Sequence, residues 1–289
     1  MNITGKTGLL FVFGDPVGHS LSPFMQNRAL SALGSNLVYL PLHVPANQVC
    51  TAVDLLRMPN VIGANVTIPH KQSAVGLVDE LSPESKLIGA VNTIHNRQGR
   101  LWGTTTDPDG LLSSMREDGY EPAGRSVVIL GSGGSARTVA FAFAMKAGPK
   151  HLHLAARSPA KLVSLAMELK QKLGLECSVS GTSESDFKAA LKSADLVVNC
   201  TSAGMTPNPN GIAFEPDLLH KGLAVYDLVY NPLETLLLRH AKARGCRAMS
   251  GIGMLLNQGR LSLEIWLGKP VPAGLFSREP ILAEMKKEA

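Results

Sequence analysis

Val127-Val128-Ile129-Leu130-Gly131-Ser132-Gly133-Gly134-Ser135-Ala136 decides the fold of this chain. Four apolar residues run into a glycine-rich turn, and Arg137 to Met145 behind it reads as a helix. The glycines have physical reasons. The first permits a turn too tight for a Cβ, the second lets backbone N–H groups approach a pyrophosphate, and the small Ala136 lets the helix pack close to the strand. The helix start then offers unpaired N–H groups and a positive dipole end to phosphates. Gly131, Ser132, Gly133, Gly134 and Ser135 are therefore the candidate phosphate cradle. An ordinary tight βα turn is the alternative, and the strand before and helix behind weigh against it.

The next element bears on which dinucleotide. His151 to Ala156 reads as a second strand of the same unit, ending Ala155-Ala156-Arg157-Ser158 with Lys161 close behind. A ribose 2′-hydroxyl is ordinarily bound by an Asp or Glu near this point. No carboxylate stands here to repel a 2′-phosphate. Arg157 offers a planar fork of donors suited to phosphate, and Ser158 adds a hydroxyl. The expected cofactor is NADP(H).

Outward from this unit, the rest of the chain alternates strands and helices. Leu9–Phe13, Leu37–Leu42 and Val61–Ile68 read as strands. Leu21–Leu33 and Ala46–Arg57 read as helices, the first with Ser22 as N-cap, Pro23 as first helical residue and Gly34 as its stop. A short helix is expected from Pro69 or His70, and a hairpin pairs 90–94 with 101–104 across Asn96–Gly99. Asp107-Pro108 starts a helix that leads into the second unit. Leu196–Cys200 and Ala224–Val229 are buried strands, Pro232–Arg244 is a helix, and Met254–Leu267 is a helix expected to return to the first domain. The fold class is α/β in two domains. Residues 1–106 plus 251–289 form an open, mainly parallel α/β substrate domain, and residues 107–250 a Rossmann domain that binds the dinucleotide.

Composition supports a soluble enzyme. The chain has 289 residues, of which 45% are hydrophobic and 18% charged, so a sizeable core is available. Net charge is +5, a mild excess that suits anionic ligands, and no basic run with interleaved aromatics points to nucleic acid. Cys50, Cys177, Cys200 and Cys246 stand far apart. With no secretory signal or membrane span, they are expected as reduced thiols in a cytoplasm, with no metal site. The partner expected is a small-molecule substrate, and the chain a monomer or homodimer.

Four polar clusters fall at strand ends or helix starts, where open α/β sheets bind ligands. Gly14–Pro23 carries two hydroxyls, Ser20 and Ser22, ahead of a helix, able to grip a carboxylate. Gly63–Lys71 ends an apolar strand in Asn65, Thr67 and Lys71, whose ammonium is a candidate acid. His70, beside Pro69, reads as solvated. Asn92, in Gly89–Thr93, can donate and accept, which suits a polyol. Asp107, in Thr104–Gly110, can cap its helix and also orient Lys71.

Eight segments in order complete the pattern: Gly14–Asn27, Gly63–Lys71, Gly89–Thr93, Gly103–Gly110, Gly131–Arg137, Asn199–Met205, Asp227–Glu234 and Gly251–Gln258. Nearly end to end, the chain resembles the shikimate dehydrogenase family, including its shikimate/quinate members. The resemblance implies an NADP-dependent oxidoreductase that reduces 3-dehydroshikimate to shikimate in aromatic amino-acid biosynthesis. Quinate or aminoshikimate dehydrogenases, or a non-catalytic NADP(H) sensor, are the alternatives. It further implies Lys71 and Asp107 as the catalytic pair. Ser20 and Ser22 would lie on the substrate carboxylate with Tyr230 beside them, and Thr67, Asn92, Asp107 and Gln258 on the ring hydroxyls. Arg157, with Ser158 and Lys161, falls at the 2′-phosphate; Thr201, Ser202, Leu228, Gly251 and Met254 fall on the cofactor side. Four departures stand out: Thr105-Thr106-Asp107 for the usual Asn-Thr-Asp, Gly259 for a usual Ala, Met25 where His is common, and Ala155-Ala156-Arg157-Ser158 where Asn-Arg-Thr is common.

Overall fold

The apolar runs become strands of two separate sheets. The computed structural model describes residues 3–288. It divides the chain into one unit of Met1–Gly110 with Leu256–Ala289 and another of Leu111–Leu255.

The first unit holds β1 (Gly8–Gly14), α1 (Ser22–Ala32), β2 (Leu37–His43), α2 (Val49–Leu55), β3 (Val61–Val66), β4 (Glu80–Leu81), α3 (Pro83–Ile88), β5 (Thr93–Arg97) and β6 (Arg100–Thr104). The sheet order is β2-β1-β3-β5-β6-β4. β1 runs parallel to β2 and β3, and β4 parallel to β6, while β5 is antiparallel to both β3 and β6. The hairpin turns on Gln98 and Gly99, both at positive φ (57° and 90°), a geometry that matches the twist of its strands. Phe13, Val53, Leu56, Ala64, Val66, Ile94 and Leu101 belong to the core of this unit.

α4 (Asp107–Glu117) leads onward. Then come β7 (Ser126–Leu130), α5 (Gly134–Ala142), β8 (His151–Ala156), α6 (Ala160–Leu173), β9 (Cys177–Gly181), α7 (Ser185–Ser193), β10 (Leu196–Asn199), β11 (Ala224–Asp227), α8 (Leu236–Ala243) and β12 (Arg247–Ser250). Their order is β12-β11-β10-β7-β8-β9, every pair parallel. Strand order therefore reverses between β7 and β10, the switch point at which such sheets bind ligands. Parallel strands covered on both faces read as continuous apolar runs, and Val127–Leu130 is buried throughout. α9 (Ile252–Leu267) and α10 (Arg278–Glu288) close the chain. No helix among the described residues is long and apolar enough to cross a membrane.

Several boundaries differ from the sequence reading. β3 stops at Val66, and the turn behind it gives a short 3₁₀ segment, Ser73–Gly76, rather than a helix from Pro69. Ala46–Arg57 splits into 3₁₀ turn and α2. α8 starts at Leu236, capped by Thr235, whose side chain accepts from Leu238 N–H. The antiparallel β5, in the expected hairpin with β6, makes the first sheet mixed and mainly parallel, as read. The sequence reading does not single out β4, α3, α6, β9, α7, β12 or α10.

Candidate functional site

Three segments of the first unit meet at one edge of its sheet, at the C-terminal ends of β3 and β6 and the N-terminal end of the antiparallel β5. Lys71 follows β3 by one turn, and its carbonyl accepts Val91 N–H, which ties that turn to the segment entering β5. Asn92 stands just before β5. Asp107 opens α4 directly after β6. The Lys71 ammonium lies 2.6 Å from Asp107 Oδ2. Asp107 is 4% exposed, whereas the Lys71 side chain keeps 30% of its surface. The carboxylate is thus taken from water while the cation that compensates it stays reachable. Its other oxygen, Oδ1, accepts from Asn92 Nδ2 at 2.9 Å.

Asn92 is tightly determined. Its Oδ1 accepts the Thr106 backbone N–H (2.9 Å) and the Thr93 hydroxyl (2.8 Å). Because a backbone N–H only donates, the carboxamide has one orientation, with the amino group toward Asp107. Nδ2 also reaches Thr106 Oγ1 at 2.9 Å and, more loosely, Gln258 Oε1 at 3.3 Å. Gln258 is brought here by α9, which crosses α4 at Gly110. A Cβ at position 110 would come within 2.8 Å of the Gln258 backbone nitrogen, so the approach needs glycine.

Beneath this lies a buried polar layer that the sequence reading missed. The Tyr39 phenol donates to Asn65 Oδ1 at 2.7 Å. Asn65 Nδ2 lies 3.0 Å from Asn92 O, 3.2 Å from Thr93 Oγ1 and 3.0 Å from Ser262 Oγ. Ser262 in turn touches Thr93 Oγ1 and Thr106 Oγ1. An Asn inside an apolar strand, as in Val61–Val66, was the available signal, since a buried carboxamide must find partners.

Ser22 is not the helix cap. Leu21 occupies that position without a side-chain bond, and Ser22 begins α1 itself. Its N–H donates to Ser20 Oγ at 3.3 Å. The two serines are therefore joined directly. Thr67 is half-buried, its backbone fixed to Phe13 O, and its hydroxyl bonds no described residue. His70 is 1% exposed with Nε2 2.6 Å from Val44 O, a pinned core histidine rather than a solvated one.

The second unit carries the remaining candidates. Gly131 has φ +117° and lies against Cys200, a conformation and a closeness that exclude a side chain. Ala136 is fully buried under α5. Gly133 caps α5 without any side-chain bond, Ser132, Gly133 and Gly134 are exposed, and a Cβ at 133 or 134 would meet nothing within 4 Å. No packing inside the protein explains those two glycines, and the helix start they form is uncapped and open. Arg157, Ser158 and Lys161 are exposed behind β8, and no described residue pairs with either cation. Thr201 is held by Asn199, whose Oδ1 accepts its N–H at 3.0 Å and its hydroxyl at 2.7 Å. Ser202 is exposed, and Leu228, Tyr230 and Met254 are half-buried. Burial pushes the Tyr230 phenol above its ordinary range. Gly251 lies so close to Leu228 that a Cβ would sit 2.2 Å from the Leu228 carbonyl oxygen. Tyr230 belongs to this second unit, as do Gly251 and Met254. Among the described residues no group of three or more His, Cys, Asp or Glu side chains could hold a metal ion.

Residues 12–94 match the shikimate dehydrogenase substrate binding domain, and residues 251–276 the shikimate 5′-dehydrogenase C-terminal domain. A shikimate dehydrogenase (NADP(+)) of Moorella thermoacetica is 43% identical over 279 residues, covering 96% of this chain and 94% of that protein. The chain belongs to the shikimate dehydrogenase family. A shikimate dehydrogenase crystallised with NADP+ superposes with TM-score 0.89 at 34% identity, over 95% of each chain. The shikimate 5-dehydrogenase of Listeria monocytogenes, in complex with shikimate and NAD, superposes with TM-score 0.90 at 32% identity, over 98% of each.

Within this shikimate dehydrogenase family member, two departures have structural accounts. A Cβ at Gly259 would sit 2.4 Å from Met25 Cε, so Met25 fills the space an alanine would take. Thr105 is 3% exposed, and its hydroxyl is among the buried side-chain atoms with no hydrogen-bond partner. Ala156 is buried at the end of β8, leaving the polar reading there to Arg157 and Ser158.

Proposed function

We propose that the chain catalyses the reversible, NADPH-dependent reduction of 3-dehydroshikimate to shikimate, a step of aromatic amino-acid biosynthesis. Membership of the family and the NADP(+) in its relatives' names support this reading. The observation that carries it is the 2.6 Å contact of the half-exposed Lys71 ammonium with the buried Asp107 carboxylate.

In this reading Ser20 and Ser22 grip the ring carboxylate, with Tyr230 a further contact. Thr67, Asn92, Asp107 and Gln258 read the ring hydroxyls; the 3.3 Å Asn92–Gln258 bond is the one a substrate hydroxyl replaces most readily. Lys71 hydrogen-bonds the carbonyl oxygen at ring carbon 3 and gives it a proton as the carbonyl becomes a hydroxyl. Asp107 holds the ammonium in place, and Asn92 holds Asp107. General acid help of this type is worth about 10²–10⁴-fold. NADPH, when bound, supplies the hydride. Gly131, Ser132, Gly133, Gly134 and Ser135 would hold its pyrophosphate, Arg157 with Ser158 and Lys161 its 2′-phosphate, and Thr201, Ser202, Leu228, Gly251 and Met254 the remainder. Residues 1–106 and 251–289 take mainly the substrate and 107–250 mainly the dinucleotide, with Asp107 on the substrate side and Gly251 and Met254 on the cofactor side. Four separate free thiols suit a reducing cytoplasm.

The test is initial-rate absorbance at the nicotinamide band, with shikimate and quinate crossed against NADP+ and NAD+. Shikimate with NADP+ is expected to give the highest kcat/KM. Turnover only of quinate, or of neither, overturns the reading.

A further inference from the structure

We propose that His70 is a positioning residue of this site, holding the turn from which the Lys71 ammonium reaches Asp107. This rests on the reaction proposed above, in which that ammonium is the acid. Lys71 stands in neither helix nor strand. β3 ends at Val66, and the 3₁₀ segment that follows begins at Ser73. A reactive group on such a stretch has no regular element of its own to aim it, so its position depends on what ties the stretch to its surroundings.

Backbone bonds tie the two ends of the turn. At one end Thr67 N–H donates to Phe13 O at 2.8 Å and Asp15 N–H to Ile68 O at 3.0 Å; at the other, Val91 N–H donates to Lys71 O at 2.8 Å. Between them the tie is a side chain. The His70 ring places Nε2 2.6 Å from Val44 O. A carbonyl only accepts, so Nε2 carries the hydrogen. His70 and Val44 are both buried, and a buried carbonyl deprived of this donor has no water to turn to. Val44 is itself fixed at the strand ends: it follows β2, and its N–H donates to Gly14 O, the last residue of β1, at 3.0 Å. The ring thus clamps the residue directly before Lys71 to the ends of β1 and β2, while the next side chain reaches outward to Asp107 at 2.6 Å.

His70→Leu keeps a buried apolar body and removes the donor. With shikimate and NADP+, its kcat is expected to fall about tenfold while both KM values stay within about twofold, because the ring acts on the placement of the acid and not on binding. His70→Gln, whose amide can donate from about the reach of Nε2, is expected to recover kcat to within about threefold of wild type; His70→Asn, one methylene shorter, is expected to stay as slow as His70→Leu. In a Lys71→Ala background His70→Leu is expected to change kcat less than about twofold, because the group it acts through is gone. A merely structural role would lower Tm and slow both backgrounds alike. An unchanged kcat in His70→Leu, equal factors in both backgrounds, or a His70→Gln as slow as His70→Leu overturns the assignment. Should His70→Leu not fold, Gln against Asn decides the matter, and equal rates in those two overturn it. A wild-type chain that turns over no shikimate overturns the proposed reaction and this assignment together; an active wild type with an indifferent His70→Leu overturns the assignment alone.

Discussion

Asp107 and Asp227 are the two buried carboxylates at the strand ends of the two units, 4% and 0% exposed. Asp107 opens α4 and is compensated by a cation, Lys71, that solvent can still reach. Asp227 ends β11 and faces only neutral donors. Asn199 Nδ2 stands at 2.9 Å, Val229 N at 3.1 Å and the Thr235 hydroxyl at 2.6 Å. Burial pushes the Asp227 carboxyl above its ordinary range, and those three donors pull it back in part. Burial alone therefore does not mark a reactive group. What sets Asp107 apart is that its partner is a cation that stays partly exposed. Asp227 instead holds the Thr235 cap of α8 and, through Asn199, the Thr201 loop, so its consequences are architectural.

The sharpest way to break this contrast is to remove the cation. Lys71→Ala is expected to lower kcat by about 10³-fold with little change in NADP+ affinity. Steady-state rates beside a cofactor fluorescence titration check this, and a variant within tenfold of wild type would take Lys71 out of the chemistry. Asp227→Ala is the converse. It leaves three buried donors unpaired and is expected to cost about 3 kcal/mol of stability, read as a lower midpoint in urea. A Tm equal to wild type would deny the architectural role.

Arg157→Ala sharpens the comparison on the cofactor side, where exposed cations rather than a buried pair face the ligand. It is expected to raise the KM for NADP+ about tenfold, equivalent to ~1.4 kcal/mol, while leaving that for NAD+ unchanged. Equal effects on both would remove the 2′-phosphate assignment.

The smallest effect concerns a third carboxylate, Glu168, partly exposed and held by Arg137 at 2.8 and 2.9 Å and by Lys172 at 3.0 Å. The Arg137 fork, followed by Lys172, lowers its carboxyl from 4.5 to about 2. A depressed folded value contributes stability above the unfolded range and loses it as pH falls through the folded one. The Tm gap between wild type and Glu168→Gln is thus expected to be whole at pH 7 and to close between about pH 4.5 and 2. A gap independent of pH would contradict the ion pair.

The Rossmann half was the more legible in the sequence. β8 follows the reading residue for residue, and β10 and β11 differ only at their C-terminal ends, because strands buried on both faces are unbroken apolar runs. Segments whose ends depend on polar side chains were read less well. Thr235, drawn to Asp227, starts α8 at Leu236 rather than at Pro232. Ser22 read as a cap because capping is local, yet it is already the first residue of α1 and Leu21 holds the cap position. α6 was readable, with Leu162, Leu165 and Leu169 at helical spacing on its buried face.

By itself the sequence determined the alternation of strands and helices, the glycine turn at 131–134 and the kinship with one enzyme family. Those depend on residues near one another in the chain, whose periodicity and backbone freedom are local properties. Which Asn, Thr, Ser or Tyr partners which was decided only when strands took their register and α9 brought Ser262 and Gln258 against segments more than 150 residues earlier. Many such side chains can donate and accept equally well, so their pairing is a property of position, and position in a buried polar layer exists only in the folded chain.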